Sequence, residues 1–196
     1  MKTTLAAATF LLFAGAAQAS LFSFDLQGNA GAGLLSGNEN FSINGTPGSG
    51  GEIGAGISYD DVSNLLTINV GWGSGNGFSD LTGNAFAGHI HGPTTSGGAG
   101  SFTQSASVKY PLDSLSGWSG SAATGGFAGT VTILEADEVG LLAGKFYINV
   151  HTTANGGGEI RGNLVAVPEP AATCAIGGGL LGAFALMRRF RNRTGK

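Results

Sequence analysis

The sequence predicts an all-β domain, an antiparallel Greek-key-like β-sandwich or barrel with one short helix. Two observations predict it. Short runs of alternating apolar and polar residues recur along the chain, with Gly, Asn and Asp clusters between them, which is typical of half-buried strands joined by turns. The 196 residues also include 37 Gly and 42% apolar residues. That apolar content is too high for a disordered chain, and the glycines lack the three-residue period of collagen.

Alternation predicts eight strands, and a different pattern predicts one helix. The strands cover residues 21–26, 52–59, 65–72, 86–91, 102–110, 127–133, 146–151 and 159–165. The turns at 60–61 and 152–158 predict hairpins between the strands they join. Residues 27–51 are rich in Gly, Asn and Ser and predict a loop with weak strand character. Residues 134–143 carry acidic side chains early and precede Gly144, which predicts the helix.

Both ends of the chain predict segments outside this domain. Residues 1–19 have the charge, apolar run and small-residue site of a secretory signal peptide, with cleavage between Ala19 and Ser20. The β domain then covers residues 20–166, and residues 167–196 form a separate module. Its apolar run at 171–187 is near the lower limit for a membrane-spanning helix. The tail at 188–196 carries Arg188, Arg189, Arg191 and Arg193, which predict a cytoplasmic anchor and an exported domain.

The charge distribution excludes one class of partner. Between residues 20 and 166 there are three basic side chains and eleven acidic ones, a formal charge of −8. Nucleic-acid binding needs a basic surface, so no nucleic-acid partner is expected. The chain's one cysteine, Cys174, lies outside the domain and allows no intramolecular disulfide.

The three histidines predict a common site. His89 and His91 are two apart on one predicted strand and therefore share a face, and His151 ends another strand. Three imidazoles with an open coordination position suit zinc or copper, which are the cofactors of this alternative. A metal site predicts imidazole nitrogens converging to within ~4 Å with free lone pairs. A structural site predicts that those nitrogens are apart or already hydrogen-bonded.

Glu159 and Arg161 complete this candidate polar cluster. They share a face of the last predicted strand, where they could pair with each other or hold the neighbouring loop. Neither a nucleophile elbow nor a phosphate loop is visible in the sequence, so no catalytic residue and no enzyme activity are predicted, apart from the three-histidine alternative. Aromatic side chains such as Trp72, Trp118 and Tyr147 could stack on sugars if exposed. Trp72 ends an apolar strand and is expected in the core, so no sugar site is assigned.

The C-terminal module resembles the PEP-CTERM sorting signal of Gram-negative bacteria. The resemblance rests on Pro168, Glu169 and Pro170, followed by the Gly-rich apolar run and the arginine cluster. It implies that an exosortase cuts the chain near the motif, after signal peptidase has removed the leader. The domain would then be left at the cell surface or outside the cell, in a setting associated with exopolysaccharide and biofilm matrix.

The β domain resembles the CHRD domain, known from chordin and from many exported bacterial proteins. The resemblance rests on AGHIHGP at 87–93 and FYINVHTTANGGGEIRGNL at 146–164. It implies an extracellular domain and supplies no catalytic mechanism. The function expected from both resemblances is a non-enzymatic surface or matrix protein, with an extracellular polysaccharide or surface protein as its partner. Metal binding or metalloenzyme activity through the histidines is the alternative.

Overall fold

A computed structural model describes residues 20–168, and these form an all-β domain with one α-helix. The strands are β1 Leu21–Gln27, β2 Leu34–Leu35, β3 Ser49–Asp60, β4 Leu65–Trp72, β5 Ala85–His91, β6 Val108–Pro111, β7 Gly125–Thr132, β8 Tyr147–Thr152 and β9 Ile160–Val167, and the helix is α1 Glu135–Leu142. Three single 3₁₀ turns lie at Ser36–Asn38, Ser74–Asn76 and Gly98–Ser101. The predicted hairpins β3–β4 and β8–β9 and the predicted helix are confirmed.

All nine strands belong to one antiparallel sheet. Its order is β6-β5-β8-β9-β1-β3-β4-β7, and β2 pairs with β3 and β9. The chain after β6 returns to β7 through a Trp118–Phe127 bridge, and Ala85 donates to the Ala122 carbonyl at 3.1 Å, so the two edges of the sheet approach each other. Counted across this closure, the connection β4–β5 skips β7 and β6, and the connection β7–β8 skips β6 and β5. Connections that skip two strands are typical of Greek keys.

The core lies inside the curved sheet, and its members are the alternate side chains of each strand. The fully buried apolar residues include Leu26, Leu66, Ile68, Trp72, Ile90, Ile148, Val150, Ile160 and Leu164. Trp72 is therefore a core residue as expected, and its ring packs 5.1 Å from that of Trp118. On β5, β8 and β9 the other set of side chains points away from this core, and most of that set is polar.

One predicted strand is largely wrong. Residues 102–110 form a strand only from Val108 onward, as β6. Before that point the backbone carbonyls of Ser101, Gln104 and Ala106 accept hydrogen bonds from side chains of other strands. Those carbonyls are therefore unavailable for a regular ladder, and the segment runs as a loop across the outer face of the sheet.

Substitution of Gly88 tests how the sheet closes. A Cβ at this position of β5 would overlap the Trp118 indole, with Cη2 only 2.6 Å away. We expect Gly88→Ala to destabilise the domain by about 2 kcal/mol, the usual range for overpacking, measured by urea unfolding. Gly156→Ala is the matched control, because apart from its chain neighbours no atom of the described residues lies within 4 Å of its added Cβ. Equal stability of the two variants would contradict the close packing of Trp118 on β5.

Candidate functional site

The candidate site is a polar layer on the outer face of β5, β8 and β9. The strand register places His89 opposite Asn149, His91 opposite Tyr147, and Ala87 opposite His151. The two histidine-bearing stretches therefore meet in space, as the sequence analysis expects. Two Gly-rich segments, residues 36–48 and 94–107, lie over this face and bury much of it.

The three histidines form a compact group. One nitrogen from each of His89, His91 and His151 lies within 4.8 Å of the others. The Nδ1 of His89 is 3.0 Å from the Nε2 of His151, at hydrogen-bond distance. The spread is wider than the ~4 Å expected of a metal site, and one pair of nitrogens is hydrogen-bonded, as expected of a structural site. The three nitrogens converge, as a metal site requires, but their spread and the hydrogen bond between two of them match the structural alternative.

The outward nitrogens of two of the three histidines have defined hydrogen-bond acceptors. His91 Nδ1 is 2.9 Å from the carbonyl oxygen of Ala106, and His151 Nδ1 is 3.0 Å from that of Gly156. His89 Nε2 lies 3.4 Å from Asp113 Oδ1, a charge-pair distance without hydrogen-bond geometry. The rings of His91 and His151 are thereby each oriented by a carbonyl outside the cluster.

The environment keeps two of the histidines neutral. Burial, with a smaller contribution from the neighbouring His151, lowers the pKa of His91 to about 4, against the effect of the Ala106 carbonyl. Burial also lowers the pKa of His151. His91 is only 8% exposed, and its Nε2 is buried with no hydrogen-bond partner among residues 20–168. Such an unpartnered buried atom is unusual in a folded domain and calls for a physical explanation.

Arg161 lies on the other flank of the same layer. Its guanidinium carbon is 3.6 Å from the centroid of the Tyr147 ring, which stacks in parallel on the His91 ring at 4.9 Å. Because β5 and β9 flank β8, the histidine and the arginine approach Tyr147 from opposite sides. Arg161 connects to the histidine group through this stack.

Arg161 is 1% exposed and contacts no carboxylate within 4 Å in the described part of the chain. Its Nη2 donates to the carbonyls of Ser101 at 3.0 Å and Gln104 at 2.8 Å, and its Nε donates to Asn163 Oδ1 at 3.3 Å. Burial lowers the pKa of Arg161, while Tyr147 and Glu39 oppose that effect. The guanidinium therefore holds the loop at residues 101–104 against β9.

Glu159 does not pair with Arg161, and of the two alternatives in the sequence analysis it takes the second. Its Oε1 accepts from the backbone N–H of Thr82 at 2.6 Å, and its Oε2 accepts from Thr152 Oγ1 at 2.6 Å and Asn155 Nδ2 at 3.0 Å. The carboxylate thus holds the β8–β9 loop and the segment before β5, which is the loop-holding alternative of the sequence analysis.

Sequence reasoning missed two members of the layer, Glu39 and Asp113. Glu39 Oε1 accepts from Asn149 Nδ2 at 2.7 Å, whereas its Oε2 is buried and has no partner in the described part of the chain. Burial raises the pKa of Glu39 to about 7, against the charge of Arg161. One signal was present, because Glu39 is the sole charged residue of the loop at 27–51.

The part of the chain that contains this site matches a known domain family. The sequence model of the CHRD domain family matches residues 32–164, which are about two thirds of the chain and include the whole polar layer. The chain belongs to the CHRD domain family. No curated protein and no solved structure matches it. The match begins well before the two histidine-bearing stretches and includes β2 and Glu39, so the CHRD domain extends over both loops that cover the layer.

The end modules predicted from the sequence lie outside the described residues. These are the signal peptide with Ala19, the apolar run, the arginine tail, and Glu169 and Pro170 of the sorting motif. Pro168 follows β9 directly and is exposed. Among residues 20–168, no helix is long and apolar enough to cross a membrane.

Proposed function

We propose that this CHRD domain is an exported, non-enzymatic surface or exopolysaccharide-matrix protein that an exosortase system sorts. The proposal rests on one observation, that charged side chains of the polar layer hold the covering loops in place. Arg161 and Glu159 direct their hydrogen bonds to the backbone and side chains of covering loops. Buried, satisfied polar networks make loops rigid, and rigid loops on a β scaffold suit a binding or structural role.

Export and sorting follow from the two ends of the sequence. The leader at 1–19 would be removed by signal peptidase before Ser20, and the motif Pro168, Glu169 and Pro170 would direct exosortase cleavage. Before processing, the apolar helix would hold the chain in the inner membrane with its arginine tail in the cytoplasm. After processing, the domain would reside at the cell surface or in the extracellular matrix. Its partner there would be a polysaccharide or a surface protein.

Intact-mass measurement tests the sorting proposal. We expect the full chain, co-expressed with an exosortase, to yield a product that starts at Ser20 and ends near residues 168–170. A variant with Glu169→Ala should keep its tail and stay in the membrane fraction. The wild-type chain expressed without exosortase is the matched control. Retention of the tail in the wild type with exosortase present would contradict sorting.

Co-sedimentation with exopolysaccharide isolated from the exporting cells tests the matrix role. The processed domain should pellet with the polymer, whereas a heat-unfolded sample of the same domain should not. If the folded domain stays in the supernatant, the polysaccharide is not its partner, and the matrix part of the proposal fails.

Metal binding is the second candidate function. The convergence of His89, His91 and His151 favours it, because three neutral imidazoles are a common ligand set for zinc or copper. The second candidate does not exclude the first, since a bound metal could also order the covering loops.

A further inference from the structure

The hydrogen bonds to the outward ring nitrogens fix the histidine tautomers. A carbonyl oxygen only accepts, so the Nδ1 atoms of His91 and His151 must carry hydrogens toward Ala106 and Gly156. In a neutral ring the other nitrogen then has a free lone pair. The Nε2 atoms of both rings therefore carry free lone pairs, and that of His151 faces His89 Nδ1.

His89 completes this arrangement in the opposite ring orientation. Its Nδ1 faces His151 Nε2 at 3.0 Å, and its Nε2 faces Asp113 Oδ1 at 3.4 Å. Since His151 Nε2 carries no hydrogen, His89 Nδ1 must donate to it when no metal is bound. A metal at this place would take the position of that hydrogen. The ring proton of a neutral His89 would then lie on Nε2, from which it can donate a hydrogen bond to the Asp113 carboxylate.

Metal-ligating histidines nearly always donate their second ring N–H to a carbonyl or carboxylate. Here His91 and His151 have such a group at hydrogen-bond distance, namely the carbonyls of Ala106 and Gly156, and the Asp113 carboxylate lies 3.4 Å from His89 Nε2. The buried, unpartnered Nε2 of His91 is a second and independent sign of a ligand, since a polar atom of this kind normally has a partner. The side chain of His89 is 19% exposed, so the cluster borders solvent, from which an ion can enter.

We infer that His91 Nε2, His151 Nε2 and His89 Nδ1 bind one divalent first-row transition-metal ion, with Asp113 as the residue that positions His89. The inference rests on the second candidate function and specifies its ligand atoms. Imidazole nitrogens suit copper and zinc, and copper(II) binds such sites more tightly than zinc(II). Closing the present 4.8 Å spread to the roughly 3.3 Å that tetrahedral bonds of about 2.05 Å require is a side-chain adjustment that the partly exposed rings of His89 and His151 can make.

Metal titration of the purified, metal-stripped full chain tests the site. We expect one equivalent of CuSO₄ or of ZnSO₄ to remain after dialysis, and tighter binding of copper, measured by mass spectrometry and calorimetry. His89→Ala and His151→Ala should each abolish stoichiometric binding while circular dichroism shows an intact β domain. Both rings are partly exposed, so these variants are better tolerated than a change at buried His91.

Asp113→Asn separates the specific inference from the candidate function. It should keep one equivalent at saturating metal and lower the affinity by roughly 10- to 100-fold, as loss of such a hydrogen-bonding partner does. Asp25→Asn is the matched control, because Asp25 is an exposed carboxylate on β1 with no side-chain hydrogen bond within the described residues. If Asp113→Asn binds like the wild type, the role of Asp113 is wrong and metal binding stands. If the wild type binds no metal, or the alanine variants keep it, the three-histidine site is wrong.

A spectroscopic measurement checks the tautomers without any metal. Long-range ¹H–¹⁵N correlation of the metal-free chain should show Nδ1–H forms for His91 and His151. Nε2–H forms would remove the free lone pairs on Nε2 and overturn the inference.

Discussion

Arg161→Met is expected to destabilise the domain by about 3–5 kcal/mol. The change leaves the carbonyls of Ser101 and Gln104 and the Oδ1 atom of Asn163 without their guanidinium donor in a buried place. Each unsatisfied buried acceptor costs about 1–3 kcal/mol, and the stacking of the guanidinium on Tyr147 is also lost. Urea unfolding at pH 7 measures the effect.

The controls for this change separate geometry from charge. Lys145→Met removes one positive charge from a side chain that makes no hydrogen bond or ion pair within residues 20–168, and it should change stability by less than about 0.5 kcal/mol. Arg161→Lys keeps the charge without the planar fork and should fall between the two. If Arg161→Met were as stable as Lys145→Met, Arg161 would not hold the covering loop.

The second large effect is a pH dependence that originates at Glu39. Its pKa is raised by burial from 4.5 to about 7, so the folded state keeps a proton that the unfolded chain loses in that window. The stabilisation from this group is therefore fully present below pH 4.5 and is lost as pH rises through 7. The difference corresponds to about 3 kcal/mol between pH 4.5 and pH 8.

Glu39→Gln tests this effect because glutamine stays neutral and keeps an oxygen that can accept from Asn149. The stability of the variant relative to wild type should rise by about 3 kcal/mol between pH 4.5 and pH 8 in metal-free buffer. Asp25→Asn is again the control and should show no comparable trend. A constant difference between Glu39→Gln and wild type at both pH values would mean that Glu39 is ionised in the folded state.

The strands were predictable because burial on one face imposes a period of two on the sequence. Leu65–Trp72 and Tyr147–Thr152 have this period, and both are strands of the structure. The same period placed Tyr147, Asn149 and His151 on one polar face. Periodicity is a local property, so it reports the face of a side chain and says nothing about what covers that face.

The remainder of the site could not be predicted because it depends on contacts between distant segments. Glu39 meets Asn149 across 110 residues, and Arg161 meets Gln104 across 57. The loop at 102–107 contacts the site through its backbone carbonyls. Every residue has a carbonyl, so no residue type in the sequence marks this loop. Only strand order, which brings β5, β8 and β9 side by side, reveals that these groups share one layer.

The position of β9 has a mechanical consequence. This last strand is hydrogen-bonded to β8 on one flank and to β1 on the other, in the interior of the sheet. A pull on the chain beyond Val167, such as a surface tether would exert under flow, acts along the strand axis. It would load both ladders in shear, so that many bonds share the force, instead of peeling them apart in succession. Survival under such a load depends on the rate of forced unfolding rather than on the equilibrium free energy.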